Sequence, residues 1–357
     1  MALAAGTPVG EYEVVRQLGS GAMGEVYEAV HPMIGKRVAI KVMRTPASEA
    51  LVEARRLLEE ARVVNAIRHP AIIDIFGANV LPDGRPFLVM ELLEGQSLQE
   101  YLKANHPLTI ADVISLLDGL LEPLSAAHKA GVIHRDLKPT NVFVLSSKEA
   151  RRVKLLDFGI AQSADRERLT SPEVTVGSLG FMGPEQLHGK ASAQSDLYAV
   201  GCVAWLLLTG QPVFPYKAMG ELARNHMLTV PPPVRTLRRD TPAALEGWVA
   251  NLLQKDAARR PPNAFEALLS LRVIADELGE STVVQLELDD DEVTIAVPAI
   301  RRGPESETRH NLPRSAARPI HVEPAPVPLE PAPSATLNDE DDDPENTIRI
   351  IPGRPKR

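Results

Sequence analysis

Residues 134 to 141 read His134, Arg135, Asp136, Leu137, Lys138, Pro139, Thr140 and Asn141, and no other stretch narrows so far what this chain can become. They set a carboxylate, an ammonium two residues on, and a carboxamide three residues after that. Transfer of a phosphoryl group asks for that set: a carboxylate to orient and deprotonate the attacking hydroxyl, a cation beside the developing charge, and a neutral oxygen for a metal. Asp136, Lys138 and Asn141 fit the three roles in that order.

Upstream, residues 11 to 45 alternate apolar and polar in short runs broken by glycine, the pattern of three antiparallel strands. Between the first two lie Gly19, Ser20, Gly21, Ala22, Met23 and Gly24, followed by Glu25, Val26 and Tyr27. Glycines let backbone amides come close to phosphate oxygens and let the loop bend over them. Alone, this spacing also suits a hairpin or a dinucleotide-binding turn, although the latter needs a helix next and Glu25 to Val30 reads as a strand. Val38, Ala39, Ile40 and Lys41 follow on the third strand. Ser48 to Ile67 has helical periodicity and ends at Arg68, His69 and Pro70. Residues 86 to 95 form an apolar strand closing in Met90, Glu91, Leu92, Leu93, Glu94 and Gly95. A helical segment from Ile110 to Lys129 leads into the loop at Asp136, and a strand from Arg152 to Leu156 leads to Asp157, Phe158 and Gly159.

With these motifs in this order the chain resembles the protein kinase family, its Ser/Thr branch, and most closely the eukaryotic-type Ser/Thr kinases of bacteria. The resemblance covers residues 10 to 277 and implies an α+β bilobal fold. The N-lobe, 10 to 90, would be a small antiparallel sheet with one helix; 91 to 95 would be the hinge; the C-lobe, 96 to 277, would be larger and mainly helical. Residues 1 to 9 are read as a short lead. The resemblance implies ATP as the nucleotide and Mg²⁺, with Mn²⁺ as an alternative, as the metal. Leu18, the loop Gly19 to Gly24, Val26 and Ala39 would surround the nucleotide. Lys41 would contact the α and β phosphates, with Glu60, rather than Glu59, as its ion-pair partner. Met90 would stand behind the adenine, which the backbone of Glu91 and Leu93 would bind. Asp157 and Asn141 would hold the metal.

His134 is a candidate general base on chemical grounds, but the resemblance gives it a structural place beside Phe158. Arg135 would pair with a phosphorylated residue of the activation segment, 157 to 185, where Thr170, Ser171 and Thr175 are the candidate phosphosites. Two departures from the family pattern stand in that segment. Ser178 takes the place of a threonine that contacts Asp136 and Lys138, and Gly183 replaces the alanine before Pro184 and Glu185. Glu185 would pair with Arg260, Arg259 being the competing choice, and Asp196 would brace the catalytic loop. Val203 to Leu208, Ala243 to Gln254 and Ala264 to Glu277 read as further helices.

The rest of the chain differs in kind. The segment 278 to 357 holds sixteen acidic and nine basic residues and twelve of the 31 prolines, so nearly all of the net charge of −8 resides there. Such a composition builds no core and reads as disordered. Two parts of it are similar, Asp289 to Pro298 and Asp341 to Ile350, each setting a Thr-Ile step after an acidic run. Thr294 and Thr347 are thus candidate phosphoacceptors or docking points for a phosphothreonine-binding partner, against the simpler reading of chance similarity. A pI near 5.7 gives no sign of a nucleic-acid surface. The single cysteine, Cys202, fits a reducing compartment, and no apolar run reaches the length of a membrane span, so a cytoplasmic protein is expected. Dimerisation through the nucleotide lobe is an expectation of the resemblance alone. Against a protein kinase acting on protein substrates stand two alternatives, a catalytically silent scaffold signalling through its tail and a small-molecule kinase. The first would have lost Lys41, Asp136 or Asp157, and the second would generally lack Lys138 and the Pro184, Glu185 pair.

Overall fold

Short β-rich runs at the start of the chain assemble into a six-stranded antiparallel sheet. Its members are β1 (Pro8–Val9), β2 (Tyr12–Ser20), β3 (Gly24–Val30), β4 (Arg37–Met43), and, after the helix α1 (Ala50–Ile67), β5 (Ile75–Val80) and β6 (Pro86–Glu91), in the order β1-β2-β3-β4-β6-β5. The computed structural model describes residues 2–21, 24–44, 50–146, 153–158, 176–216 and 218–279. Ala22, Met23, Gly159, Thr170, Ser171, Thr175, Thr294 and Thr347 lie outside them.

The strand period of two decides which residues meet the cleft. Val38, Ile40 and Val42 on β4 join Tyr27, Phe87 and Val89 in a core on one face of the sheet. Ala39 and Lys41 therefore point to the other face, where Leu88 and Met90 pack with Leu57, Ala61 and Val64 of α1. Register sharpens this: Lys41 lies between Val26 and Leu88, and Ala39 lies opposite Met90. β1 draws residues ahead of position 10 into the sheet, and the Leu3 N–H donates to the Tyr27 hydroxyl at 2.9 Å.

Beyond β6 the chain forms β7 (Gly95–Ser97), α2 (Leu98–Asn105) and α3 (Ile110–Lys129), and then β8 (Val142–Leu145) and β9 (Val153–Leu155), which complete a second sheet in the order β7-β8-β9. Ser97 and Glu100 form a capping box on α2, and Thr109 caps α3, so both helices start where the sequence supplies acceptors for orphan amides. The short α4 (Val176–Leu179) precedes α5 (Ala193–Thr209), α6 (Met219–Leu228), α7 (Ala243–Leu252) and α8 (Ala264–Glu277). α5 is the axis of this half: Leu197, Tyr198, Val200, Cys202, Val203 and Trp205 are all buried, as a helix apolar on every side must be. Gly210 ends it in the left-handed conformation. The architecture is that expected from the sequence, a small antiparallel sheet with one helix beside a larger, mainly helical half.

Candidate active site

The nucleotide side is built on β4. Lys41 Nζ lies 2.6 Å from Asp157 Oδ2. Burial alone would lower the lysine pKa and raise that of the carboxyl, but each charge stabilises the other, so Lys41 stays above its ordinary value and Asp157 below. Lys41 thus donates a hydrogen bond to Asp157. Glu60, assigned as the partner of Lys41 on the sequence, lies buried on α1 and adds its negative charge to the rise in Lys41.

The glycines of the loop divide into two kinds. A Cβ on Gly24 would lie 2.2 Å from the Val42 carbonyl oxygen, so the closeness of β3 to β4 itself requires glycine there. On Gly19 and Gly21 a Cβ would meet nothing within 4 Å. Their own fold leaves that space open, as a cradle for phosphate oxygens needs. Arg44 holds the flank of the loop, donating to Ser20 Oγ at 2.8 Å and to Glu25 Oε1 at 3.3 Å. Val26 shares the face of Lys41, Leu18 is exposed on β2, and Leu93 is partly buried against the main core. At the end of β6 the Glu91 N–H donates to the Asp74 carbonyl at 3.0 Å, while Glu91 Oε1 accepts from the Asp74 N–H at 2.9 Å. The same carboxylate oxygen pairs with Lys154 Nζ on β9.

The catalytic loop is braced from below. Asp196, in the first turn of α5, accepts from the His134 N–H at 2.8 Å and the Arg135 N–H at 2.9 Å, and its Oδ2 lies 2.8 Å from His128 Nε2. Arg135 is held at φ +67°, a conformation that persists in a non-glycine residue only when its surroundings fix it. Asp157 is the second such residue of the site, at φ +44°. His134 is fully buried, its Nε2 donates to the Leu156 carbonyl at 3.0 Å, and its ring packs on Phe158 with centroids 4.6 Å apart. Burial lowers its pKa and keeps the ring neutral, which is a structural role and not that of a base open to substrate.

On the upper side of the loop, Asn141 Nδ2 donates to Asp136 Oδ2 at 3.0 Å and to the Asp136 carbonyl at 2.8 Å. This turns the amide oxygen of Asn141 away from Asp136. Lys138 Nζ lies 2.7 Å from Asp136 Oδ2 and 2.7 Å from Ser178 Oγ. Serine at 178 therefore keeps the contact with Lys138. Among the described residues no cluster of three or more His, Cys, Asp or Glu side chains could hold a metal. One carboxylate, Asp157, and one amide oxygen, Asn141, fit a hard cation that takes its other oxygens from phosphates and water.

Arg260 clamps the end of the activation segment, donating to Glu185 Oε1 at 2.7 Å and to Oε2 at 2.9 Å, while Ser195 Oγ donates to the first of these oxygens at 2.7 Å. Burial raises the Glu185 pKa, but these donors outweigh it and hold the carboxyl below its ordinary value. Arg259 instead reaches Asp256, at 3.9 Å. A Cβ on Gly183 would lie 3.0 Å from Glu185 Oε1, so the departure to glycine suits a carboxylate already fixed by Arg260.

Sequence reasoning missed Lys154, His128, Gln186 and Arg44. Gln186 donates to the Arg135 carbonyl. Lys154 carried a weak signal, a charge between the buried Val153 and Leu155 on a short strand. His128 bears on a residue 68 positions away, and nothing local marks such a contact.

The family model for the protein kinase domain matches residues 12–270. The chain is 37% identical over 270 residues to the serine/threonine-protein kinase Pkn1 of Myxococcus xanthus, covering 75% of this chain and 38% of that protein. It is 33% identical over 288 residues to the probable serine/threonine-protein kinase PknB of Lactococcus lactis, covering 80% of this chain and 45% of that protein. The chain thus spans less than half the length of these two relatives. Among solved structures, the PknI kinase domain of Mycobacterium tuberculosis superposes with a TM-score of 0.59 at 28% identity, covering 76% of this chain and 98% of that one. From the sheet with its lysine, the braced loop and these matches, the chain belongs to the protein kinase family, in its eukaryotic-type bacterial branch.

Proposed function

We propose that the chain is a protein Ser/Thr kinase transferring the γ-phosphoryl of ATP to hydroxyls of protein substrates. One observation carries the reading: the Lys138 ammonium bonds at once to Asp136 Oδ2 and Ser178 Oγ, each at 2.7 Å, tying the candidate base to the segment that would receive a protein substrate. Asp136 orients the substrate hydroxyl and takes its proton, while Lys138 offsets the charge that develops. Lys41 would meet the α and β phosphates in place of Asp157, and Asp157 with the Asn141 oxygen would hold Mg²⁺ or Mn²⁺, which would supply positive charge to the phosphates.

Regulation by phosphorylation belongs to the same reading. Arg135 Nε is buried and has no hydrogen-bond partner among the described residues, which suits a cation awaiting a phosphorylated Thr170, Ser171 or Thr175. Thr294 and Thr347 are proposed as further acceptors, read by a phosphothreonine-binding partner. Among the described residues no helix is long and apolar enough to cross a membrane. The Cys202 thiol is buried and pushed up to about 12, as suits a structural thiol in a cytoplasmic protein.

The test is incubation of the full chain with ATP and Mg²⁺ beside Asp136→Asn, with incorporated phosphate located by mass spectrometry. Phosphate on Ser or Thr of the chain or of a generic protein substrate, absent in the variant, is the expected result. Its absence from the wild type would move the reading to a small-molecule kinase or a scaffold.

A further inference from the structure

The segment leading to Asp157 is fastened to the nucleotide-side sheet by two ion pairs of opposite polarity. One joins Asp157 to Lys41 on β4, and the other joins Lys154 to Glu91 at the end of β6. Between them runs a strut of backbone bonds: Leu155 N–H to the Ala71 carbonyl at 2.8 Å, Ile73 N–H to the Leu155 carbonyl at 3.0 Å, and Glu91 N–H to the Asp74 carbonyl at 3.0 Å. The two pairs differ in what they can do. Lys41 and Asp157 must part for either to take up nucleotide or metal, whereas neither Lys154 nor Glu91 has a side-chain task in the proposed chemistry. Their side chains are 13% and 21% exposed, so a charge left alone there is costly.

We propose that Lys154 and Glu91 form the clasp that stays closed when Lys41 and Asp157 separate. By fixing the Glu91 side chain between Asp74 and β9, Lys154 sets the position of the hinge backbone that receives the adenine. It registers the hinge with the segment that ends at Asp157. Lys154 is therefore a positioning residue for adenine, acting through Glu91. The inference rests on the kinase reading above.

The experiment titrates the full-length protein with two probes, adenosine for the hinge and inorganic tripolyphosphate for the phosphate side, and measures ATP kinetics and thermal melting alongside. In Lys154→Met, adenosine binding should weaken about tenfold and KM for ATP rise by a similar factor. Tripolyphosphate binding and kcat should change less than about twofold. Lys154→Arg should restore adenosine binding. Equal weakening toward both probes, or unchanged adenosine binding in the folded variant, overturns the proposal. Should Lys154→Met fail to fold because Glu91 is left charged and unpaired, Glu91→Gln with Lys154→Met removes that charge and keeps an acceptor for the Asp74 N–H. Wild-type adenosine affinity in that double variant, or its failure to fold as well, assigns the pair to stability alone and sinks the inference. A wild type that binds neither ATP nor adenosine overturns the kinase reading itself, and the inference with it.

Discussion

Asp136 and Asp157 are the two carboxylates of the site, and they are held in different ways. The Asp136 side chain is 5% exposed and has neighbours on its own loop, Asn141 and Lys138, the second of which in turn reaches Ser178. Below it, Asp196 fixes the backbone of the two residues before it. The Asp157 side chain is 40% exposed and answers to one lysine across the cleft. The first arrangement is preorganised: no group has to move for the carboxylate to meet a hydroxyl. The second is a holding pair, two opposite charges that neutralise each other across the cleft and that the proposed chemistry requires to part. Phosphoryl transfer needs both, a fixed base and a nucleotide side that can exchange contacts.

The comparison is broken most directly at Asp136. Asp136→Asn keeps the size of the side chain and its contacts with Asn141 and Lys138 within the loop, but removes the base. Phosphate transfer should fall about a thousandfold or more, while ATP binding by titration stays near the wild-type value. Retained transfer would show that Asp136 is not the base.

The braced half can be tested at Glu185 and Arg260, where the arginine side chain is fully buried and the carboxylate partly so. Arg260→Met should cost about 3 kcal/mol in urea unfolding, since it strands a partly buried charge. The pH dependence has a definite sign. Glu185 titrates below its ordinary value of 4.5 in the folded chain, so its contribution is complete above that pH and is lost as acid carries the pH down through the folded value. Arg260→Met should flatten that part of the acid limb, and an unchanged limb would count against the pair.

These two halves were not equally legible in the sequence. Asp136, Lys138, Asn141, Asp157 and Lys41 sit in runs whose residue types and order are set by the chemistry, and the fold brings all five together. Strand alternation around Lys41 and the helical period of Ile110 to Lys129 gave their elements for the same reason, since burial repeats with the backbone period. The partner of Lys41 was harder. The sequence offered Glu60, whose charge does act on Lys41, but gave no sign of the hydrogen bond to Asp157, 116 positions away. α5 also begins ten residues before the apolar stretch that announced it, because its first turns carry Ser195 and Asp196, polar residues buried to hold Glu185 and the catalytic loop respectively. Lys154 and His128 work through contacts 63 and 68 positions away, and a local pattern holds no trace of those distances.

On the exchanging side, Lys41→Met should lower kcat/KM for ATP about a hundredfold by removing charge that the phosphates require. Its effect on stability should be under about 1 kcal/mol, because the half-exposed Asp157 can turn to water when its partner is lost. A stability loss as large as that of Arg260→Met would erase the distinction between a holding pair and a brace.

The smallest effect, and the one that probes the comparison most finely, is at Ser178. Its hydroxyl accepts from Lys138 at 2.7 Å, from the same ammonium that bonds Asp136. Ser178→Ala leaves Lys138 its bond to Asp136 but removes the link to α4. A neutral acceptor of this kind is worth about 1 kcal/mol, so kcat toward a protein substrate should fall about fivefold. Ser178→Thr keeps the hydroxyl and adds a methyl group beside it, and should hold kcat within about twofold of wild type. If alanine is as active as serine, the loop is braced from below alone, through Asp196, and the upper contact is incidental. If threonine exceeds serine clearly, the methyl group adds order that this chain does without, and the departure at position 178 tunes the rate.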